Sequence, residues 1–135
     1  MNHFIACFFA FAEVFAACTA VVPLEKRVAS YWKAREARDF GASYELEDPR
    51  GGIDKTAYIQ KMSTGNVEYR SFRIEEIREE GDEAKVVLKL VYRIPMVPKN
   101  VEGSLTDVWF RVGRHWYHRN PVANVTSENA AGTAR

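Results

Sequence analysis

The chain has 135 residues, of which 47% are hydrophobic, with 19 Lys or Arg against 18 Asp or Glu. That length suits one domain around one core, and a formal net charge of +1 is too near neutral to predict a nucleic-acid partner. Both cysteines, Cys7 and Cys18, fall in the N-terminal segment, which excludes an internal disulfide or a thiolate metal site from the body of the domain.

Residues 4–22 form an apolar block broken by one charge, Glu13, and hold five of the eight phenylalanines. This leader resembles an export signal. Phe15-Ala16-Ala17-Cys18 resembles the lipobox of bacterial lipoproteins, in which the cysteine becomes the acylated N-terminus. The segment before it carries no Lys or Arg, and Phe15 stands where a branched aliphatic residue is usual. The 19 residues from 4 to 22 are also long enough to span a bilayer uncleaved. The nearest basic residues, Lys26 and Arg27, follow the block, so such an anchor would keep the domain in the cytoplasm. A cytosolic chain with an apolar first helix is the remaining alternative. The leader therefore predicts a periplasmic, lipid-anchored domain at the cell envelope, attached to the membrane through Cys18.

Pro23 ends the leader and suits a first helical turn. Leu24, Val28, Tyr31 and Trp32 then recur at helical spacing. Asp39 is placed to cap a short second helix over residues 40–46. Pro49, Gly51 and Gly52 stop it. Asp54 caps a third helix from Lys55 to about Ser63, with Ala57, Tyr58, Ile59 and Met62 as its apolar positions.

The second half reads as strands. Residues 67–79 alternate imperfectly: Phe72 and Ile74 share one phase and Ile77 takes the other, which a bulge between Arg73 and Glu76 would reconcile. Residues 84–94 alternate cleanly, with Val86, Leu88, Leu90 and Tyr92 on one face and Val87 and Val91 on the other. Pro95 and Pro98 mark a loop. Residues 104–112 make a third strand, and Gly113-Arg114 turns into a fourth at 115–118. The reading is an α+β fold, three N-terminal helices packed on a curved antiparallel sheet of about four strands. It divides the chain into a leader at 1–22, a domain at 23–120 and a disordered tail at 121–135.

Tyr31-Trp32-Lys33-Ala34, Arg38-Asp39-Phe40-Gly41-Ala42-Ser43-Tyr44, and the ending Trp109-Phe110-Arg111-Val112-Gly113-Arg114-His115-Trp116-Tyr117-His118 resemble the nuclear-transport-factor-2-like superfamily. The resemblance covers about residues 24–119. It implies a cone, a curved sheet wrapped on three helices, with a pocket between them. Members include dehydratases, isomerases, epoxide hydrolases and proteins of no known activity, so fold does not carry function here.

Enzymes of that superfamily place an Asp, often with His or Tyr, in the pocket for proton transfer. The candidates here are Asp39, Asp107, His118, Tyr31, Tyr44 and Tyr92. Asp107 shares strand phase with Trp109 and would stand beside an aromatic wall if that phase faced the helices. The expectation is the opposite phase, with Val108 and Phe110 inward and Asp107 solvated or paired with an arginine, because structural ion pairs outnumber catalytic carboxylates. Asp39 is explained as a cap. His115 and His118, three apart in a strand, face opposite sides, which argues against a shared metal; His118 is expected at a rim. Tyr31, Tyr44, Tyr92 and Trp109 are the candidate pocket rings.

No cofactor is predicted. The favoured reading is a non-enzymatic exported domain that binds a small apolar molecule or an envelope protein. The alternative is a dehydratase- or isomerase-type enzyme using Asp107 or His118 with Tyr44 or Tyr92. A third reading is a homodimer formed through the outer sheet face at Val87 and Val91.

Overall fold

The computed structural model describes residues 20–119. The leader up to residue 19 with Cys7 and Cys18, and the tail from residue 120, lie outside the described residues. Val21 and Val22 belong to no helix and are exposed. No helix among the described residues is long and apolar enough to cross a membrane.

Three helices precede four strands: α1 (Leu24–Glu36), α2 (Phe40–Tyr44), α3 (Lys55–Ser63), β1 (Glu68–Glu80), β2 (Glu83–Arg93), β3 (Val101–Val112) and β4 (His115–His118). A single 3-10 turn, Pro49–Gly51, lies between α2 and α3. The expected caps are present: the Asp39 side chain accepts from the Ala42 N–H and that of Asp54 from the Ala57 N–H, each at 3.0 Å. Each contributes about 1 kcal/mol to its helix start.

The strands form one antiparallel meander in the order β1-β2-β3-β4. Register shifts fall between Tyr69 and Ser71 and between Ile74 and Glu76. The second is the expected bulge, and it lets both Ile74 and Ile77 pack against the core. β3 begins at Val101, three residues before the expected start, because β2 is long enough to pair Tyr92 with Val101.

The core lies between α1 and the sheet. Leu24, Val28, Tyr31 and Trp32 of α1 pack on Ala84, Val86, Leu88 and Leu90 of β2, with Trp109 and Trp116 closing the cluster. The Arg27 Nε–H donates to the Trp116 carbonyl at 2.7 Å and ties α1 to β4.

The phase of β3 corrects the sequence reading. Asp107 and Trp109 face the helices and are buried, while Val108 and Phe110 are only half-buried. The reason is the two-ring demand of the core. Trp109 buries more apolar area than Phe110 does, and β3 follows its larger side chain inward, carrying Asp107 with it.

Candidate functional site

The segment after α2 brings the site together. Glu47 forms an isolated parallel bridge with His118 at the end of β4. The His118 N–H donates to the Leu46 carbonyl at 2.7 Å, and the Asp48 N–H donates to the His118 carbonyl at 2.8 Å. This backbone clamp seats a glutamate beside a histidine that is 71 residues later in the chain.

His118 is held between two carboxylates. Its Nδ1 is 3.0 Å from Glu47 Oε2 and its Nε2 is 3.2 Å from Asp107 Oδ1. All three are buried, with 6% of His118, 6% of Asp107 and 4% of Glu47 exposed. Burial works to lower the His118 pKa, but its hydrogen bonds to Asp107 and Glu47 outweigh that and raise it to about 9. The ring is therefore an imidazolium at neutral pH, donating through both nitrogens. The expectation of a rim histidine fails because the backbone clamp draws β4 under α1.

The other carboxylate oxygens of this group are hydrogen-bonded as well. Glu47 Oε1 accepts from the Tyr31 hydroxyl at 2.8 Å and the Tyr58 hydroxyl at 2.9 Å. Asp107 Oδ2 accepts from the Trp32 indole N–H at 2.7 Å. The Tyr31 oxygen in turn accepts from Arg35 at 2.9 Å. Burial and then the Glu47 charge push the Tyr58 phenol up to about 12, so it stays a donor. The Tyr31 ring stacks on His118 with centroids 4.1 Å apart, and Trp109 meets both edge-on. Such a network is rigid when fully satisfied and costly when broken.

A cavity of about 330 Å³ opens against one side of this network. Asp107, His118, Tyr31 and Arg35 form its polar wall, and Trp32, Tyr69 and Leu105 its apolar one. That size and mixture fit a small-molecule site. Tyr69 and Leu105 also wall an adjoining groove of about 390 Å³ that Tyr92 lines.

The solved structures this chain resembles have low sequence identity. A SEC-C motif-containing protein of Rhodopseudomonas palustris is 19% identical, with 72% of this chain and 75% of that chain covered at a TM-score of 0.57. A putative calcium/calmodulin-dependent protein kinase type II association domain of Thiobacillus denitrificans is 13% identical, with 73% and 92% covered at 0.55. An NTF2-like protein of unknown function in nutrient uptake from Rhodospirillum rubrum is 15% identical, with 72% and 93% covered at 0.51. The chain has the nuclear-transport-factor-2-like fold. No family model and no curated protein matches it.

Within this fold the sequence candidates are distributed unevenly. Asp107, His118 and Tyr31 meet at the cavity, and Tyr92 lines the groove beside it. Tyr44 points elsewhere: its hydroxyl donates to the Ile53 carbonyl at 2.8 Å, and it borders a separate cleft with Tyr117. Trp109 is fully buried behind His118 and Tyr31 and lines none of the cavities described here. His115 is exposed on the other face of β4. Asp39 is a cap.

Glu47, Tyr58 and Arg35 were not legible as site residues. Glu47 sits in an acidic turn and Tyr58 on an apolar helix face, and only their meeting with His118 gives them a role. No group of three His, Cys, Asp or Glu side chains among the described residues is arranged to hold a metal ion. Glu47 and Asp107 engage opposite nitrogens of one imidazole and so cannot converge on one ion.

Proposed function

We propose that the domain binds a small, largely apolar molecule in the cavity between α1 and the sheet, and that it binds without chemistry. One observation carries this reading. Both nitrogens of His118 and both oxygens of Asp107 are hydrogen-bonded inside the protein, while Trp32, Met62, Tyr69 and Leu105 give the cavity an apolar wall. A general base must accept a proton from substrate; the doubly hydrogen-bonded His118 imidazolium has no lone pair to do so, and the Asp107 carboxylate is engaged through both oxygens by His118 and Trp32. The leader and Phe15-Ala16-Ala17-Cys18 support a location at the cell envelope, held by an acylated Cys18.

The test is saturable uptake of a neutral apolar fluorophore, N-phenyl-1-naphthylamine, by the full chain. Binding should quench the fluorescence of Trp32, which lines the cavity. Absence of saturable uptake would refute the reading. A second reading, proton transfer by His118 and Asp107, draws on their position at the cavity wall. Turnover of a small hydroxyacyl or epoxide substrate, abolished by Asp107→Asn, would establish it in place of the first.

A further inference from the structure

Among the described residues Arg35 has no carboxylate partner. Its guanidinium donates to the Tyr31 hydroxyl at 2.9 Å, and its Nε is buried with no hydrogen-bond acceptor among the described residues. Three rings surround it, with Tyr69 at 5.3 Å, Tyr31 at 5.8 Å and Trp32 at 6.0 Å from the guanidinium carbon. A half-buried cation boxed by aromatic faces but lacking an anion has capacity left for one.

The other side of Arg35 supplies the setting. Arg35, Arg38 and Lys61 line a second cavity of about 220 Å³ together with Phe40, Met62 and Tyr69, and no acidic side chain contributes to it. None of the three cations forms an ion pair with a carboxylate among the described residues. Arg38 stands just past the C-cap of α1 with a φ of +56°, where glycine is the usual occupant. A side chain is kept there at a backbone cost, and it reaches over the Phe40 ring into this cavity.

An apolar track leads away from the cations. Val67 and Tyr69 wall both the basic cavity and the 390 Å³ groove. Along that groove Val67 and Leu105 each leave 38% of their surface exposed and Ile94 leaves 36%. Exposed aliphatic side chains gathered in one groove mark a binding surface.

We infer that the ligand is an amphipathic anion, an inference that rests on the binding reading above. Its carboxylate or phosphate monoester group pairs with Arg35, Arg38 and Lys61, and its apolar body lies along Tyr69, Leu105 and Ile94. Asp107 repels the head group from the inner cavity and so fixes the direction in which the molecule lies.

The experiment is calorimetric titration of the full chain with decanoate, decyl phosphate and decanol. At least one of the two anions binds about tenfold more tightly than decanol, and the tighter anion identifies the head group. The double substitution Arg38→Gln with Lys61→Gln, which leaves Arg35 in place, reduces that preference severalfold while decanol still binds. Both positions are exposed, so the variant folds, which circular dichroism verifies. Equal binding of the anions and decanol would overturn the anion assignment and leave the apolar pocket standing. Binding of none of the three would overturn both. A preference left undiminished by the double substitution would overturn the placement of the head group.

Discussion

Glu47 and His118 are joined twice, by the backbone bonds that His118 makes with Leu46 and Asp48 on either side of Glu47 and by the 3.0 Å contact between Oε2 and Nδ1. The backbone contacts fix where the two side chains stand, so the carboxylate is in place whatever the protonation state of the ring. The imidazole is thereby forced to be charged, because Asp107 waits on its other nitrogen.

Stability should depend on pH through His118. Its folded pKa is about 9 against an ordinary value of 6.5. The raised value means the stabilisation is complete below the unfolded pKa, declines as pH rises between the two values and is lost above the folded one. Its size is up to about 3 kcal/mol. Urea denaturation at about pH 6 and about pH 9.5 should show the wild type losing stability across this window, and His118→Gln losing much less. A wild-type midpoint that does not move would contradict the charged ring, as would an imidazole NMR titration centred near its ordinary value.

Glu47→Gln should be far more costly than its surface-like sequence context suggests. It leaves a buried imidazolium with one anion and puts an amide where two phenols donate. The expected loss is about 3–5 kcal/mol. Tyr58→Phe removes one of the donors and leaves Tyr31 on Glu47, for about 1 kcal/mol. Chemical denaturation of both variants decides the matter, and equal costs would refute the special role of Glu47.

Cys18→Ser should abolish lipid attachment. In a bacterial host fed a clickable palmitate analogue, the wild type is expected to label and to fractionate with membranes, and the variant to do neither. A wild type that stays unlabelled would return the leader to its anchor or cytosolic readings.

Local physics made much of the fold readable. The 0, 4, 7, 8 spacing of Leu24, Val28, Tyr31 and Trp32 specifies a helix face. Asp39 and Asp54 announce helix starts through bonds made within three residues. The clean alternation of β2 and the misphased Ile77 specify a sheet and its bulge. These signals depend on neighbours in the chain, so the amino-acid order alone determined them, along with the presence of Asp107, His118 and Tyr31 as candidates.

The tertiary structure decided which face of β3 turned inward, and with it the fate of Asp107. Alternation defines two faces of a strand without saying which one meets the helices; the packing of Trp109 against Tyr31 made that choice. The same holds for Glu47, Tyr58 and Arg35. Each is unremarkable in sequence, and each acquires its chemistry only from partners 11 to 71 residues away or from rings gathered around it. A buried charge is a property of its surroundings, and the chain's order does not specify those surroundings until the helices are laid on the sheet.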